Sequence, residues 1–238
     1  MQTFAVITGD IVKSRKIAPK DIDNVINSLK EVFSLINDKL LNKEGAFEIF
    51  RGDSFQGIVP YPEKALLISL IIRAHLRSFI PSDRKPASAR SDKPIQNAYS
   101  DSRVSVGIGN VSYRADKVIE SHGEAFERSG HLFDRLKKDD GRLGIVTPWL
   151  EIDKEFEVEC KLTDAVIERW TPSTAEAVFH HLLYNKNQYE LAALFNISQP
   201  ALRKRLVVVG NINSIDSFIS RYEQLITDRI NKGGSPEF

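Results

Sequence analysis

Two aspartates stand where chemistry is possible. Asp10 closes a short apolar run that begins at Phe4, and Asp53 lies between two more, at 47–50 and 55–59. Each follows a glycine, Gly9 and Gly52. If the runs are neighbouring strands, the two carboxylates meet at one edge of a sheet. Such a pair suits a hard divalent cation, Mg2+ or Mn2+, which usually takes one or two protein carboxylates and fills its shell with water and substrate phosphate. The glycines would let backbone approach a phosphate closely. The pattern therefore predicts a nucleoside triphosphate site for phosphoryl or nucleotidyl transfer. Lys13, Ser14 and Arg15 follow Asp10 directly and are candidate triphosphate contacts, the arginine as a forked donor. Taken singly, each Gly-Asp pair is also ordinary turn chemistry, and 13–15 is also an ordinary solvated turn.

The elements that must position these residues are legible as a run of periodicities. Residues 4–10 are β-branched and apolar, as in a strand buried on both faces. Ile22, Val25, Ile26, Leu29, Val32, Phe33 and Ile36 recur at helical spacing. Residues 47–59 read as a β-hairpin around Gly52-Asp53, ended by Pro60 and Pro62. Pro62 opens a helix to about Phe79 that is apolar on most sides. Its longest apolar stretch, 65–72, stops at Arg73 and is far short of the roughly 20 residues of a membrane span. Residues 81–100 are polar and rich in Pro and Ser, which predicts a mobile loop, with a basic flap over a phosphate ligand as the alternative. A strand at 103–109, a helix at about 123–138 and a last strand at 143–147 follow. The order strand, helix, hairpin, helix, strand, helix, strand predicts an α+β palm, an antiparallel-rich sheet with helices on one face, over residues 1–148.

Residues 149–232 read as all-α. One helix runs to about Arg169, Thr171-Pro172 caps the next, and the last covers about 214–230. Within 187–206, a break at Asn196-Ile197-Ser198 separates two short helices, with Ser198 as the N-cap of the second. This fits a helix-turn-helix and resembles that of sigma-factor-like bacterial regulators. Residues 185–206 carry a net charge of +3, whereas 149–232 as a whole carry −2. Gln199, Arg203 and Lys204 are the candidate DNA contacts, with a packing or dimerisation hairpin as the alternative. Residues 233–238, Gly-Gly-Ser-Pro-Glu-Phe, have the look of a tail or cloning scar.

The segments 8–15 (Thr-Gly-Asp-Ile-Val-Lys-Ser-Arg), 52–57 (Gly-Asp-Ser-Phe-Gln-Gly), 104–109 (Val-Ser-Val-Gly-Ile-Gly) and 123–126 (Gly-Glu-Ala-Phe) resemble the SatD family. More distantly they resemble the palm of class III nucleotidyl cyclases and GGDEF diguanylate cyclases, over about residues 1–147. The resemblance implies a ferredoxin-like palm with metal ligands at Asp10 and Asp53. It implies nucleotide contacts from Gly9, Ile11, Lys13, Ser14, Arg15 and Gly52, and from Lys137, since late-helix lysines reach phosphates in cyclase-like palms. The bland reading of Lys137 and Lys138 is a favourable charge at a helix C-terminus. Arg51 stands for the first glycine of the GGDEF run, Ser54 for its second acid, and Val12 for a second first-strand acid. These departures point away from diguanylate synthesis. By analogy such palms place their site at a two-fold interface, so a homodimer is expected.

Composition closes off other classes. The 238 residues are 42% hydrophobic and 27% charged, a globular balance. Thirty-three Lys and Arg against 32 Asp and Glu leave a formal net charge of +1, too little for bulk nucleic-acid coating. The lone cysteine, Cys160, rules out an intrachain disulfide and reads as inert. No basic n-region precedes an apolar core at the N-terminus, so a cytoplasmic chain is expected. His122, His131 and the pair His180-His181 form no metal-binding pattern. No Walker loop or Gly-x-Ser-x-Gly elbow occurs.

Overall fold

The computed structural model describes residues 2–17, 19–50, 52–80, 100–115 and 117–232. Most of the Pro/Ser-rich stretch expected as a mobile loop (81–99), Arg51 and the tail 233–238 lie outside the described residues. The palm elements are β1 (Phe4–Ile11), α1 (Pro19–Leu40), β2 (Ala46–Phe50), β3 (Ser54–Val59), α2 (Ala65–Ser78), β4 (Ser102–Gly109), α3 (Glu124–Lys138) and β5 (Leu143–Val146). They form one mixed five-stranded sheet in the order β2-β3-β1-β4-β5. β1 runs antiparallel to β3 and to β4, and β4 runs parallel to β5. The first six elements make the βαββαβ arrangement of a ferredoxin-like palm, extended by α3 and β5.

The sheet's hydrophobic alternation explains which face each helix takes. Ala5, Ile7 and Ile11 of β1 and Val104, Val106 and Ile108 of β4 join the core that α1 and α2 cover. The opposite face is not left to solvent. α3 packs there on β4, β1 and β5, which corrects the expectation of helices on one face only. Next to buried Val6, that side of the sheet is small and polar at Thr8, Ser105 and Gly107. Thr8 Oγ1 lies 3.0 Å from Ser129 Oγ of α3, and Ser105 Oγ donates to the Ser129 carbonyl at 2.8 Å. A Cβ at Gly107 would fall 2.3 Å from the Ala125 carbonyl oxygen and 2.4 Å from the Ser129 nitrogen. The glycine lets the α3 backbone sit directly on the sheet. All eight residues of β4 are buried as a result.

The remaining helices are α4 (Leu150–Ile167), α5 (Pro172–Tyr184), α6 (Gln188–Leu194), α7 (Gln199–Arg203) and α8 (Ile212–Asn231). Thr171 and Ser198 accept N-cap bonds from Thr174 and Ala201, and Asn187 with Glu190 forms a capping box on α6. α7 is shorter than the sequence pattern suggested. It gives way to a π-helical stretch, Lys204–Val209, closed by a bond from Gly210 N–H to the Arg205 carbonyl at 2.8 Å.

The helical region packs onto the palm through a shared core. α5 lies along α2, and α8 packs against the turn that opens α2, where Tyr222 donates its hydroxyl to the Pro62 carbonyl at 2.8 Å. Beside this apolar contact runs a buried ionic seam. Arg73 of α2, fully buried, donates through Nε and Nη2 to both oxygens of Asp101, at 3.1 and 3.0 Å, and through Nη1 to Asp164 of α4 at 2.5 Å. Burial alone would lower the Arg73 pKa, but the two carboxylates outweigh it and raise it. Asp101 is likewise buried, yet Arg73 and Arg77 hold its carboxyl below the ordinary range. Arg77 also donates to the Glu168 and Trp170 carbonyls at 3.0 and 2.9 Å. Cys160 is buried in α4, where desolvation pushes its thiol well above the ordinary range. No helix among the described residues is long and apolar enough to cross a membrane.

Candidate functional site

The C-terminal end of β1 is where the singled-out residues converge. Register puts Asp10 opposite Ser54 of β3 on one side and opposite Arg103 of β4 on the other. The hairpin turn is tied to the same end, since Ile11 N–H donates to the Asp53 carbonyl oxygen at 3.0 Å. Asp10 and the Asp53 turn therefore lie at the same end of the central strand. Gly52, in the turn between β2 and β3, takes φ +81°, a left-handed conformation that an L side chain resists.

Each side chain has a definite partner. Ser14 donates its hydroxyl to Asp53 Oδ2 at 2.5 Å, joining the turn after β1 to the hairpin. Arg103 Nη1 donates to both Asp10 oxygens, at 3.1 and 3.2 Å, while its Nε is fixed by the Gly141 carbonyl at 3.1 Å. Lys137, from the last turn of α3, brings its ammonium to 3.6 Å from Asp10 Oδ2 and rests 4.3 Å over the Phe133 ring. The Asp10 carboxylate is thus bracketed by two cations in a spot where its side chain is only 15% exposed. At the rim, Asp140 pairs with Arg142 at 2.8 Å, and its pKa is lowered by that bond, with Arg103 and Lys13 adding smaller effects.

The turn after β1 keeps the other candidates nearby. Lys13 adopts the left-handed region with φ 57° and is exposed, as is Arg15. Two candidates do other work. Ile11 is buried in the core and its N–H is already given to Asp53. Gly9 is closely packed within the sheet. A Cβ there would strike the Phe55 ring at 2.3 Å, and its backbone lies between β3 and β4 within the sheet. Gly9 shares the face of Ile7 and Ile11, which the core covers, whereas Asp10 takes the opposite face.

Sequence reasoning passed over Arg103 and Asp101. The signal for Arg103 was present in the alternation of β4. It shares the parity of Ser105 and Gly107, the face turned toward α3, and a strand end opposite Asp10 leaves a cation there facing the carboxylate. The β4 end is also wired to the seam. Asp164 Oδ2 accepts from the backbone N–H groups of Arg142 and Leu143, at 2.9 and 3.2 Å, so the turn that holds Arg103 hangs on α4. Val12 N–H donates to the Asp101 carbonyl at 2.8 Å, which closes the circuit back to β1. The histidines lie elsewhere. His75, not singled out from sequence, has its pKa lowered by burial to about 4. His181 is hydrogen-bonded to Asp216 at 3.2 Å, which raises its pKa.

Among the described residues no group of three or more His, Cys, Asp or Glu is placed to hold a metal ion. Asp10 and Asp53 bring two carboxylates to one end of β1, a donor set of the kind Mg2+ takes when phosphate oxygens and water complete its shell. The cations around Asp10 point the same way, because they suit an anionic ligand more than a bare metal ion.

In the helical region, Leu202 and Leu206 face the core while Arg203 and Lys204 are exposed. Gln199 is half-buried and donates to the Gln188 side chain at 3.4 Å.

No protein-family model matches the chain, and no curated protein does. Among solved structures it is similar to the active GGEEF domain of a diguanylate cyclase from Vibrio cholerae, at 13% identity over 61% of this chain and 83% of that one, with a TM-score of 0.35.

Proposed function

We propose that the β1 end of the palm binds a nucleoside triphosphate together with Mg2+ or Mn2+. The observation that carries this reading is that Asp10 and the Asp53 turn lie at the same end of β1, with Arg103 and Lys137 on the Asp10 carboxylate and Ser14 of the following turn on that of Asp53. Asp10 and Asp53 hold the metal, which when bound neutralises phosphate charge and acidifies a ribose hydroxyl. Lys137 and the turn residues Lys13, Ser14 and Arg15 orient the phosphates.

Titration with each nucleoside triphosphate, with and without Mn2+, tests the reading. Asp10→Ala and Asp53→Ala should each weaken metal-dependent binding at least about tenfold, the loss of one charged ligand contact. Absence of metal-dependent binding, or binding that survives both substitutions, overturns it. Product formed from any triphosphate makes the palm a nucleotidyl cyclase or transferase. Binding without product makes it the sensor of a SatD-type regulator.

A second reading concerns the helical region. Arg203 and Lys204 project from α7 and its extension while the same turn buries Leu202 and Leu206, so a local positive face is available for DNA in the manner of a helix-turn-helix. The double variant Arg203→Ala, Lys204→Ala should weaken DNA binding at low salt about tenfold or more and flatten the salt slope by about 1–2. Retained binding with an unchanged slope, or no DNA binding by the native protein at low salt, counts against it. A two-fold dimer of palms belongs to this proposal as well, and sedimentation of the full chain checks it.

A further inference from the structure

Arg103 occupies the position that a metal ion bound to Asp10 would contest. One of its nitrogens, Nη1, spans both oxygens of the Asp10 carboxylate, at 3.1 and 3.2 Å. The pair is nearly closed to solvent, with side chains 10% and 15% exposed, so salt and water screen it little. Lys137 adds a second positive charge at 3.6 Å. Two cations beside one carboxylate oppose the approach of a third, divalent one. Among the described residues the guanidinium has one further anchor, Nε on the Gly141 carbonyl, about which its other end can turn. A planar guanidinium anchored in this way presents a donor edge matched to phosphate oxygens.

From this geometry we infer that Arg103 is an exchange residue, an inference that rests on the nucleotide site proposed above. In the free protein Arg103 neutralises Asp10. When Asp10 ligates the metal of a metal–nucleotide complex, Arg103 gives up the carboxylate and donates to a phosphate oxygen of the same nucleotide. The site then discriminates against free metal ion and favours the cation delivered on a polyphosphate. The discrimination resides in one side chain on β4 that none of the motif residues includes.

The inference requires effects of opposite sign from one substitution. In Arg103→Gln, free Mn2+, followed by its paramagnetic resonance signal, should bind about three- to tenfold more tightly, because Asp10 has lost its main competitor. Mn2+-dependent binding of a nonhydrolysable nucleoside triphosphate should weaken about tenfold or more, because a charged phosphate donor is gone. Arg103→Lys keeps a charge but has a single head for both Gly141 and Asp10. It should shift both affinities in the same two directions by smaller factors, and it covers the case in which the glutamine variant does not fold. If both affinities fall together, or neither moves, while the native protein binds the nucleotide normally, Arg103 is merely structural and the inference fails. If the native protein binds no nucleotide at all, the site reading itself fails, an outcome separate from the first.

Discussion

Replacing Arg73 by methionine will remove about 3–5 kcal/mol of folding free energy, the usual cost of stranding a buried ionic partner. Two carboxylates depend on that guanidinium. Asp101 is nearly inaccessible, and Asp164 is 16% exposed, so neither can recover its lost charge partner from water. Arg77 reaches Asp101 only at 3.4 Å and is already committed to two backbone carbonyls. Urea unfolding of the full chain at neutral pH measures the loss, and a change under about 1 kcal/mol would show that the seam contributes no more than a surface pair. The loss also has a pH signature. Asp101 has a lowered pKa in the folded protein, so its stabilisation is complete above the unfolded carboxylate range and is lost as pH falls through the folded value. The gap between native and Arg73→Met proteins should therefore be widest near neutrality and close in acid. Adding Asp164→Asn to Arg73→Met should recover part of the deficit, since Asp101 keeps Arg77 and Asp164 no longer carries an unpaired charge.

Gly107→Ala should be the next most damaging single change, at about 3 kcal/mol, the upper end of ordinary overpacking. The added methyl would meet backbone atoms of Ala125 and Ser129, not flexible side-chain ends. Relief requires α3 to lift from the sheet. Because Lys137 rides on the last turn of that helix, its 3.6 Å approach to Asp10 should be lost together with stability. For a chain of this length the melting temperature should fall by roughly 6–12 °C. Gly130→Ala is the matched control. It lies in the same helix with nothing within 4 Å of the new Cβ, and it should gain up to about 1 kcal/mol. A melting temperature for Gly107→Ala within a degree or two of the native value would show that the helix backbone yields easily.

Much of the palm was written in local pattern. The order of its elements, the Gly52-Asp53 turn and the caps at Thr171 and Ser198 each depend on residues close together in the chain, and each is where periodicity or turn chemistry placed it. What escaped depends on distant neighbours. The face taken by α3 was hard to read, because beside Val6 its seat on the sheet is Thr8, Ser105 and Gly107, which break the hydrophobic signature. Arg73 looked like the polar end of an apolar stretch, yet it is fully buried. Its partners stand 28 and 91 residues away, and charges so separated look like solvated surface until the fold joins them. At the end of β1, both aspartates were singled out from their Gly-Asp turns, and Lys137 only from the resemblance to cyclase-like palms. Arg103 became visible only through strand register, and Gly9 changed its meaning once Phe55 was seen to cover it.

The ionic seam bears on how this protein can be inherited. Arg73 divides its charge between Asp101, which precedes residue 148, and Asp164, which follows it. A palm transplanted without its helices would carry a buried guanidinium with one counter-ion missing, and the turn holding Arg103 would lose the carboxylate on which its N–H groups hang. Recombination at that boundary is penalised from the first generation, whereas a palm with a dry, apolar border could be exchanged freely. The two regions are therefore expected to descend as a single unit, with the seam as the lock on their partnership.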